Sequence, residues 1–297
     1  MNVAVARPFG AIIHFQPENQ SHMGHQLAYL TVALYAASFV CYARELYSSQ
    51  TPQQAKFGWL ATLLLASGVV SQYFALLERS HWTHSIPYDD LYGSMSLFAW
   101  LLAVTYLGLE LFHRQRAVGV FVTLLLTAWT AALRIAVPDT PPAPMLAQGP
   151  LFAFHVTLNT WAYAAFGLSF VLSVIYLAQD WVLRARKLSV TFWRFPALDV
   201  LDRMTRSSVY VGLLALASGA TMGLVWRHRL SGSYSWGDPK VIITFAILGI
   251  YIAYLWLSRS PAWRGARAAV LCASNFLIVL FSYTFVNLYL TGFHRFI

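Results

Sequence analysis

Eight long apolar stretches dominate this sequence and leave little room for any other kind of fold. They lie at roughly 26–47, 57–78, 92–112, 118–137, 152–178, 207–227, 240–258 and 266–290. A helix needs about 20 such residues to cross a hydrocarbon core about 30 Å thick, whereas a membrane barrel would have short alternating segments. Only 10% of the residues are charged, against about a quarter in soluble domains. The sequence therefore predicts an all-α, polytopic membrane helix bundle of about eight transmembrane helices.

The basic residues lie in the connections between these stretches, where they predict orientation. If the odd-numbered connections are cytoplasmic, they hold 13 of the 20 Lys and Arg residues, and the opposite side holds the other 7. Because positive charge concentrates on the cytoplasmic side, we expect both termini to be external in a bacterial cytoplasmic (inner) membrane. A net charge of +9 that is spread over loops gives no reason to expect a nucleic acid partner.

The chain is divided here into an external N-terminal segment, 1–24, and a membrane domain, 25–297. The first 24 residues lack the features of a cleaved signal peptide, so the first apolar stretch is expected to start insertion. Between stretches five and six, apolar positions 195, 198, 200 and 201 follow helical spacing around Pro196. This pattern predicts an interfacial helix that leads into stretch six.

Several kinds of chemistry have no residues to support them. The sequence contains no Walker A, GxGxxG or HExxH pattern. Cys41 and Cys272 lie inside apolar stretches without CxxC or CxxCH spacing, which argues against a c-type cytochrome or a thiol oxidoreductase. Glu110, near the end of stretch three, is a rare acid in these stretches, and ion-coupled pumps usually need ionisable groups at mid-membrane. A small-molecule transporter remains a third functional hypothesis.

The loop at 228–240 concentrates aromatic, glycine and charged residues at one membrane face. Its central run, 232–240, reads Gly-Ser-Tyr-Ser-Trp-Gly-Asp-Pro-Lys. In the predicted topology His155, at the start of one apolar stretch, and His294, after the last one, lie on the same face. Haem suits such a set because it needs aromatic faces for stacking, imidazoles for its iron and cations for its propionates.

This hypothesis gives each candidate residue a role. His155 and His294 would be the metal ligands, and Trp236 and Tyr234 the stacking platform. The remaining candidates are Gly232, Asp238, Lys240 and Arg229, with Arg227 as a further cation.

Plainer interpretations of the same residues stay open. A histidine near a helix end is often an interfacial hydrogen-bonding residue, and Trp236 fits an aromatic belt equally well. Asp238 followed by Pro239 is a typical N-cap with proline in the first helical turn. The connection at 79–91, with His81 and His84, is either a lid over a ligand site or a polar segment at headgroup level.

Several motifs resemble the CcsA/CcmC cytochrome c assembly family, most closely its CcsA-type members. The run at 232–240 is similar to the family's tryptophan-rich motif, approximately Gly-x-Tyr-Trp-x-Trp-Asp-Pro-Lys-Glu. Further similarities occur at 87–94, 155–166, 195–203, 219–226, 263–267 and 286–294. In order and spacing they cover about residues 80–297.

The resemblance implies a protein of cytochrome c biogenesis that presents haem at the external face. Haem b would be its cargo, held by the external histidines that match His155 and His294. The implied partners are a CcsB-like membrane protein and apocytochrome c, whose thiols perform the attachment. The chain would then be at most a component of a cytochrome c haem lyase or synthetase assembly.

The sequence departs from the family pattern at several positions. One tryptophan, Trp236, stands where the family has two, and Val241 and Gly93 replace family glutamates. Trp256 occupies the place of the family's membrane histidine. These departures fit a divergent member that binds haem only outside or takes its inner ligand from a partner. A second hypothesis is a haem-binding membrane subunit of a redox complex, or a regulator of haem synthesis.

Overall fold

Eight α-helices account for the regular structure in a computed structural model, which describes residues 17–47, 52–83, 86, 90–137, 149–185, 196–234 and 236–285. They are α1 (Pro17–Tyr47), α2 (Pro52–Thr83), α3 (Leu91–His113), α4 (Gly119–Ala136), α5 (Gly149–Arg184), α6 (Leu198–Ser231), α7 (Pro239–Leu257) and α8 (Ala266–Phe285). Seven are long and apolar enough to cross a membrane, and α8 contains the shorter apolar helix Ala266–Ser282. The predicted all-α membrane bundle is confirmed.

Most helices extend beyond the apolar stretches. Helix α1 begins at Pro17, within the segment assigned to 1–24, and α2 continues to Thr83. Helix α6 begins at Leu198, directly after Ala197, and runs unbroken to Ser231. The expected interfacial helix around Pro196 is therefore the first turns of α6, since nothing between Leu198 and the membrane part of α6 interrupts the helical hydrogen bonds.

Contacts between helix ends show in which direction each helix runs through the bundle. Arg79 near the end of α2 pairs with Asp90 at the start of α3, and Arg134 near the end of α4 bonds Tyr92 and His25. At the other end Tyr42 of α1 bonds Glu110 of α3. Neighbouring helices thus run in opposite directions. We call the end that carries residues 232–238 the loop face.

The most extensive packing is between α5 and α6, followed by that between α1 and α2. One part of the core lies mainly among α1–α5, with contributions from α6 and α8, and includes Tyr35, Leu65, Tyr106 and Leu168. A second part joins α5, α6, α7 and α8. Helix α5 contributes several residues to both parts and packs against α3, α6 and α8, so it stands at the centre of the bundle.

Phe166 and Tyr251 form the aromatic centre of the second part of the core. Their rings are stacked with centroids 3.8 Å apart and an interplanar angle of 6°. A Cβ atom at Gly212 of α6 would lie 2.5 Å from Cε1 of Phe166. The missing side chain at Gly212 therefore lets α5 and α6 approach closely.

A buried carboxylate ties three helices together at the end opposite the loop face. Glu110, only 2% exposed, accepts hydrogen bonds from Tyr42 at 2.6 Å and from Thr62 at 2.5 Å. The guanidinium of Arg116 lies 4.0 Å away. A buried charge requires such partners, so Glu110 is held as a structural anchor of α1, α2 and α3.

Candidate functional site

His155 lies in the second turn of α5, and its imidazole packs against α6. Its Nδ1 is 2.7 Å from the carbonyl oxygen of Gly219. A carbonyl oxygen can only accept, so Nδ1 must carry the proton of this hydrogen bond. In the neutral ring the lone pair then belongs to Nε2, which is the atom that can bind a metal or accept a hydrogen bond.

Two glycines of α6 make room for this ring. A Cβ atom at Gly223 would lie 2.4 Å from both Cε1 and Nδ1 of His155, and one at Gly219 would lie 2.8 Å from Oδ1 of Asn159. Residues four apart share one face of a helix, so Gly219 and Gly223 together form a groove for the α5 side chains. The four-residue spacing of these two glycines is visible in the sequence, but it was not predicted that they would make room for His155 and Asn159.

Asn159, one turn after His155, contacts the same imidazole. Its Nδ2 lies 3.2 Å from Nδ1 and 3.3 Å from Nε2, and with Nδ1 acting as a donor, only Nε2 can accept from the amide. The Oδ1 atom of Asn159 is buried without a hydrogen-bond partner among the described residues. Asn159 therefore orients the ring and was not predicted, although its i, i+4 spacing from His155 was the available signal.

An apolar wall borders the imidazole. The ring of Phe152 lies 6.3 Å from that of His155 and 4.7 Å from that of Trp226, measured between centroids. Both aromatic residues belong to the same helices as the His155–Gly219 pair. The ring of His155 is thus enclosed by α5 and α6, on the half of the bundle that ends at the loop face.

The loop between α6 and α7 is fixed at both ends by helix caps. Gly232, with φ of 68°, ends α6, and its N–H donates to the carbonyl oxygen of His228 at 2.9 Å. Asp238 begins α7 and accepts a hydrogen bond from the N–H of Lys240 at 2.9 Å. Pro239 follows in the first turn. Asp238 and Pro239 thus have the capping geometry that the plainer interpretation expected.

Four rings form a continuous row across this loop, which we call the aromatic row. It consists of His228, Tyr234, Trp236 and Phe245. His228 is stacked on Tyr234, with centroids 4.3 Å apart and planes 4° apart. Trp236 lies 6.1 Å from Tyr234 and 6.3 Å from Phe245. Tyr234 is 48% exposed and Trp236 is 61% exposed, so the row presents open ring surface.

Comparison with known proteins establishes the family of this chain. The model of the family described as "Cytochrome C assembly protein" matches residues 88–294. The chain belongs to this cytochrome C assembly family. The match begins just before α3, so it includes α5, α6, the loop and the aromatic row, and it leaves α1 and α2 outside.

Curated relatives carry two different names. The protein HemX of Brevibacillus brevis is 26% identical over 264 residues, which is 86% of this chain and 92% of the relative. HemX of Bacillus subtilis (strain 168) is 25% identical, over 90% of this chain and 95% of the relative. The cytochrome c biogenesis protein CcsA of Synechococcus sp. (strain CC9311) is 27% identical, over 81% and 89%. These similarities span nearly the whole bundle.

Within this family member, the structure brings only some of the predicted site residues near each other. Tyr234 and Trp236 are neighbours in the aromatic row, and Lys240 lies in the first turn of α7, where its N–H donates to Asp238. Arg229 is exposed on the last turn of α6, not in the loop. His294 lies outside the described residues, so its pairing with His155 stays a prediction.

The structure also places His81 and Trp256, two residues about which the sequence left questions. His81 is exposed near the end of α2, and His84 lies outside the described residues. Trp256, at the position of the family's membrane histidine, is 72% exposed on α7. Its indole faces away from the bundle, so a ligand at that position would project towards lipid or a partner.

The residues around His155 fit an iron-bound imidazole. Metal-bound histidines usually donate their other ring N–H to a carbonyl or carboxylate, which is what Nδ1 of His155 does towards Gly219. The groove at Gly223 lets α6 approach the ring without a clash. Among the residues that the structure describes, Asn159 contacts Nε2 at 3.3 Å, which is long for a strong hydrogen bond.

Proposed function

We propose that this protein handles haem in cytochrome c biogenesis, presenting haem b at the external membrane face for attachment to apocytochrome c. Membership of the cytochrome C assembly family supports the haem-related role. The name of the CcsA relatives, cytochrome c biogenesis proteins, supports the pathway. The external orientation of the loop face rests on the distribution of Lys and Arg.

The observation that carries the proposal is the tautomer of His155. The hydrogen bond from Nδ1 to the Gly219 carbonyl oxygen holds the ring in one orientation and leaves the lone pair on Nε2. The groove at Gly223 leaves room for the ring against α6, and the family resemblance matches His155 and His294 to the external histidine pair. We therefore assign His155 as one iron ligand of the haem cargo and His294 as the other.

The remaining residues have supporting roles. Tyr234 and Trp236 offer open ring faces on which a porphyrin can stack. Lys240 and Arg229 supply positive charge for the propionates. Gly232 and Asp238 act indirectly, because they cap the helices on either side of the loop and so hold the aromatic row in place.

The chain itself needs no bond-making side chain. Thiols of the apocytochrome react with the haem, and this protein contributes binding and positioning. It would therefore act as one component of a cytochrome c haem lyase or synthetase assembly. A CcsB-like membrane protein is the partner that we propose for it.

A visible absorption spectrum of the full-length protein, purified in detergent with haem added, tests the proposal. We expect a Soret band that is weakened in His155→Ala and unchanged in the control His113→Ala. His113 is a suitable control because it lies at the opposite end of the bundle, bonded to Ser207. Deletion of the gene should also abolish holocytochromes c. A Soret band that is the same in both variants would exclude His155 as a ligand.

A second candidate is a resident haem-binding subunit, or a regulator of haem synthesis, that does not pass haem on. It is favoured by the single loop tryptophan, Trp236, by the outward-facing Trp256, and by the similarity to proteins named HemX over most of the chain. Such a protein should hold haem stoichiometrically and resist its transfer to apo-myoglobin. Its deletion should leave holocytochromes c at normal levels.

A further inference from the structure

A short turn rich in arginine joins α7 to α8 at the end of the bundle opposite the loop face. We call residues 258–267 the arginine turn. It carries Arg259, Arg264 and Arg267, and all three side chains are exposed. Backbone hydrogen bonds order the turn, including those from the N–H groups of Trp263 and Arg264 to the carbonyl oxygen of Ser260. Three positive charges are therefore presented on a defined stretch of backbone.

The arginine turn differs from the neighbouring helix ends because it has no carboxylate partners. At the ends of α5 and α6, each aspartate forms an ion pair with an arginine four residues later, namely Asp180 with Arg184, Asp199 with Arg203 and Asp202 with Arg206. The sequence has no Asp or Glu from 239 to 297. Asp202 attracts Arg264 over a longer distance, but its ion pair, at 2.8 Å, is with Arg206. The positive charge of the turn is therefore largely uncompensated among the described residues.

The hydrogen bonds made by these arginines use neutral oxygens and few of their donors. Arg259 donates to the hydroxyl oxygen of Tyr210 at 3.1 Å, and Arg267 donates to the carbonyl oxygen of Ala262 at 2.9 Å. Each guanidinium has five N–H donors, so both keep donors for a further acceptor. Arg267 also lies in the first turn of α8, where the helix dipole disfavours a cation. Its charge therefore does not serve to stabilise the helix.

Apolar side chains beside the turn indicate which kind of anion can reach it. Trp256 near the end of α7, Trp263 in the turn and Val270 in α8 are all exposed. Helix α7 is long and apolar enough to cross a membrane, and α8 contains an apolar helix. Tryptophan is enriched at the boundary between hydrocarbon and headgroups. The turn therefore lies at headgroup level, with exposed apolar surface next to it for acyl chains.

We propose that the arginine turn binds the headgroup phosphates of anionic phospholipids. Planar guanidinium groups match the geometry of phosphate oxygens, and basic clusters at a membrane surface attract anionic lipids. An acidic protein would use the charges but not the exposed apolar surface beside them, so a lipid fits the observations better. The turn lies at the opposite end of the bundle from the aromatic row, and this site is therefore independent of the proposed haem ligands.

Native mass spectrometry of the full-length protein, released from nanodiscs with equal amounts of phosphatidylglycerol and phosphatidylcholine, tests the proposal. The measured quantity is the ratio of the two lipids that remain bound. We expect a preference for phosphatidylglycerol, because its headgroup carries a net negative charge and that of phosphatidylcholine does not. Raising the salt concentration should reduce this preference, since salt screens exposed charges.

Two double variants with the same change in net charge make the comparison specific. Arg264→Gln combined with Arg267→Gln should lower the ratio about fivefold for each charge removed. Arg184→Gln combined with Arg203→Gln removes two arginines that have aspartate partners and should keep the preference. Arg264→Lys combined with Arg267→Lys retains the charges and should also keep most of it. Thermal unfolding in detergent checks that every variant is folded.

The proposal is overturned if the unaltered protein retains both lipids equally. It is also overturned if the two glutamine doubles behave alike, because the arginine turn would then have no special role. If the Arg264 and Arg267 glutamine double keeps its lipid preference but loses a co-purifying protein, the turn binds a protein and the lipid proposal is wrong. Haem titration is an independent readout, since loss of lipid preference should leave the Soret band intact.

Discussion

The Nδ1 atom of His155 lies 2.7 Å from the carbonyl oxygen of Gly219, 64 residues further along the chain. This one contact joins α5 to α6, fixes the proton of the imidazole and decides which nitrogen can bind a ligand. It depends on two glycines one helical turn apart, Gly219 and Gly223. The chemistry of the proposed site is therefore inseparable from the packing of the two helices.

Gly223→Ala should damage the site through a steric clash alone. Its Cβ atom would lie 2.4 Å from the imidazole, so the ring or α6 must shift, and we expect about 1–3 kcal/mol of lost stability with a weaker Soret band. Gly249→Ala is the matched control, because a Cβ atom there meets nothing within 4 Å. Thermal unfolding in detergent and haem titration measure the two effects. If both alanine variants keep the same stability and the same haem binding, then Gly223 is not needed to make room for His155.

Phe166→Ala should destabilise the bundle strongly. Phe166 is fully buried and stacked on Tyr251, and removal of a buried phenyl ring typically costs about 3–5 kcal/mol. Phe154→Ala on the same helix should cost much less, since Phe154 is 59% exposed. Chemical unfolding monitored by tryptophan fluorescence compares the two. A similar loss in both variants would mean that α5 does not occupy the centre of the bundle.

Glu110→Ala should leave the buried hydroxyl group of Tyr42 without its acceptor. Tyr42 donates to this carboxylate, and an unsatisfied buried donor costs about 1–3 kcal/mol. Thr62, which also donates to Glu110, still has the carbonyl oxygen of Gly58 at 3.0 Å. Asp199→Ala removes a carboxylate from an exposed i, i+4 pair with Arg203 and should cost less than about 1 kcal/mol. The midpoint of thermal unfolding distinguishes the two. If Glu110→Ala is as mild as the Asp199 variant, the anchor role is wrong.

Asp238 should prove to act as a helix cap and not through its charge. Asp238→Asn keeps a side-chain oxygen for the N–H of Lys240 and should retain both stability and haem binding. Asp238→Ala loses the cap of α7, and we expect a cost of about 1 kcal/mol and a less ordered aromatic row. Unfolding curves and Soret titrations of the pair test this. Loss of haem binding in the asparagine variant with normal stability would instead point to a role for the negative charge.

The helical bundle could be read from the sequence because hydropathy acts locally. A run such as 240–258 is apolar over its whole length, and in lipid a backbone of that length must form a helix whatever its neighbours do. The caps of α7 were equally local, since Asp238, Pro239 and Lys240 adjoin one another. Helix ends were less predictable: α6 includes residues expected in a separate interfacial helix, because helical bonding continues until a residue stops it.

The candidate site was only partly predictable, because several of its contacts form between side chains whose directions are set by the packing of the helices. His155, Tyr234 and Trp236 were identified from residue type and from the family resemblance. His228 and Asn159 were not, since stacking on Tyr234 and contact with His155 depend on side-chain directions that no local pattern specifies. A small cavity lined by Arg79 and Arg134 was also missed, because α1, α2, α3 and α4 must converge before these two arginines come together.

By itself, then, the sequence determined that this chain is a helical membrane protein with an aromatic loop at one face, because segment hydropathy and turn residues act over short distances. Tertiary structure alone decided which nitrogen of His155 is free to bind, which rings line up beside Trp236 and which arginines share a cavity. Those features arise from side-chain contacts that no local pattern specifies, and at His155 the contact exists because Gly219 and Gly223 let α5 and α6 approach closely.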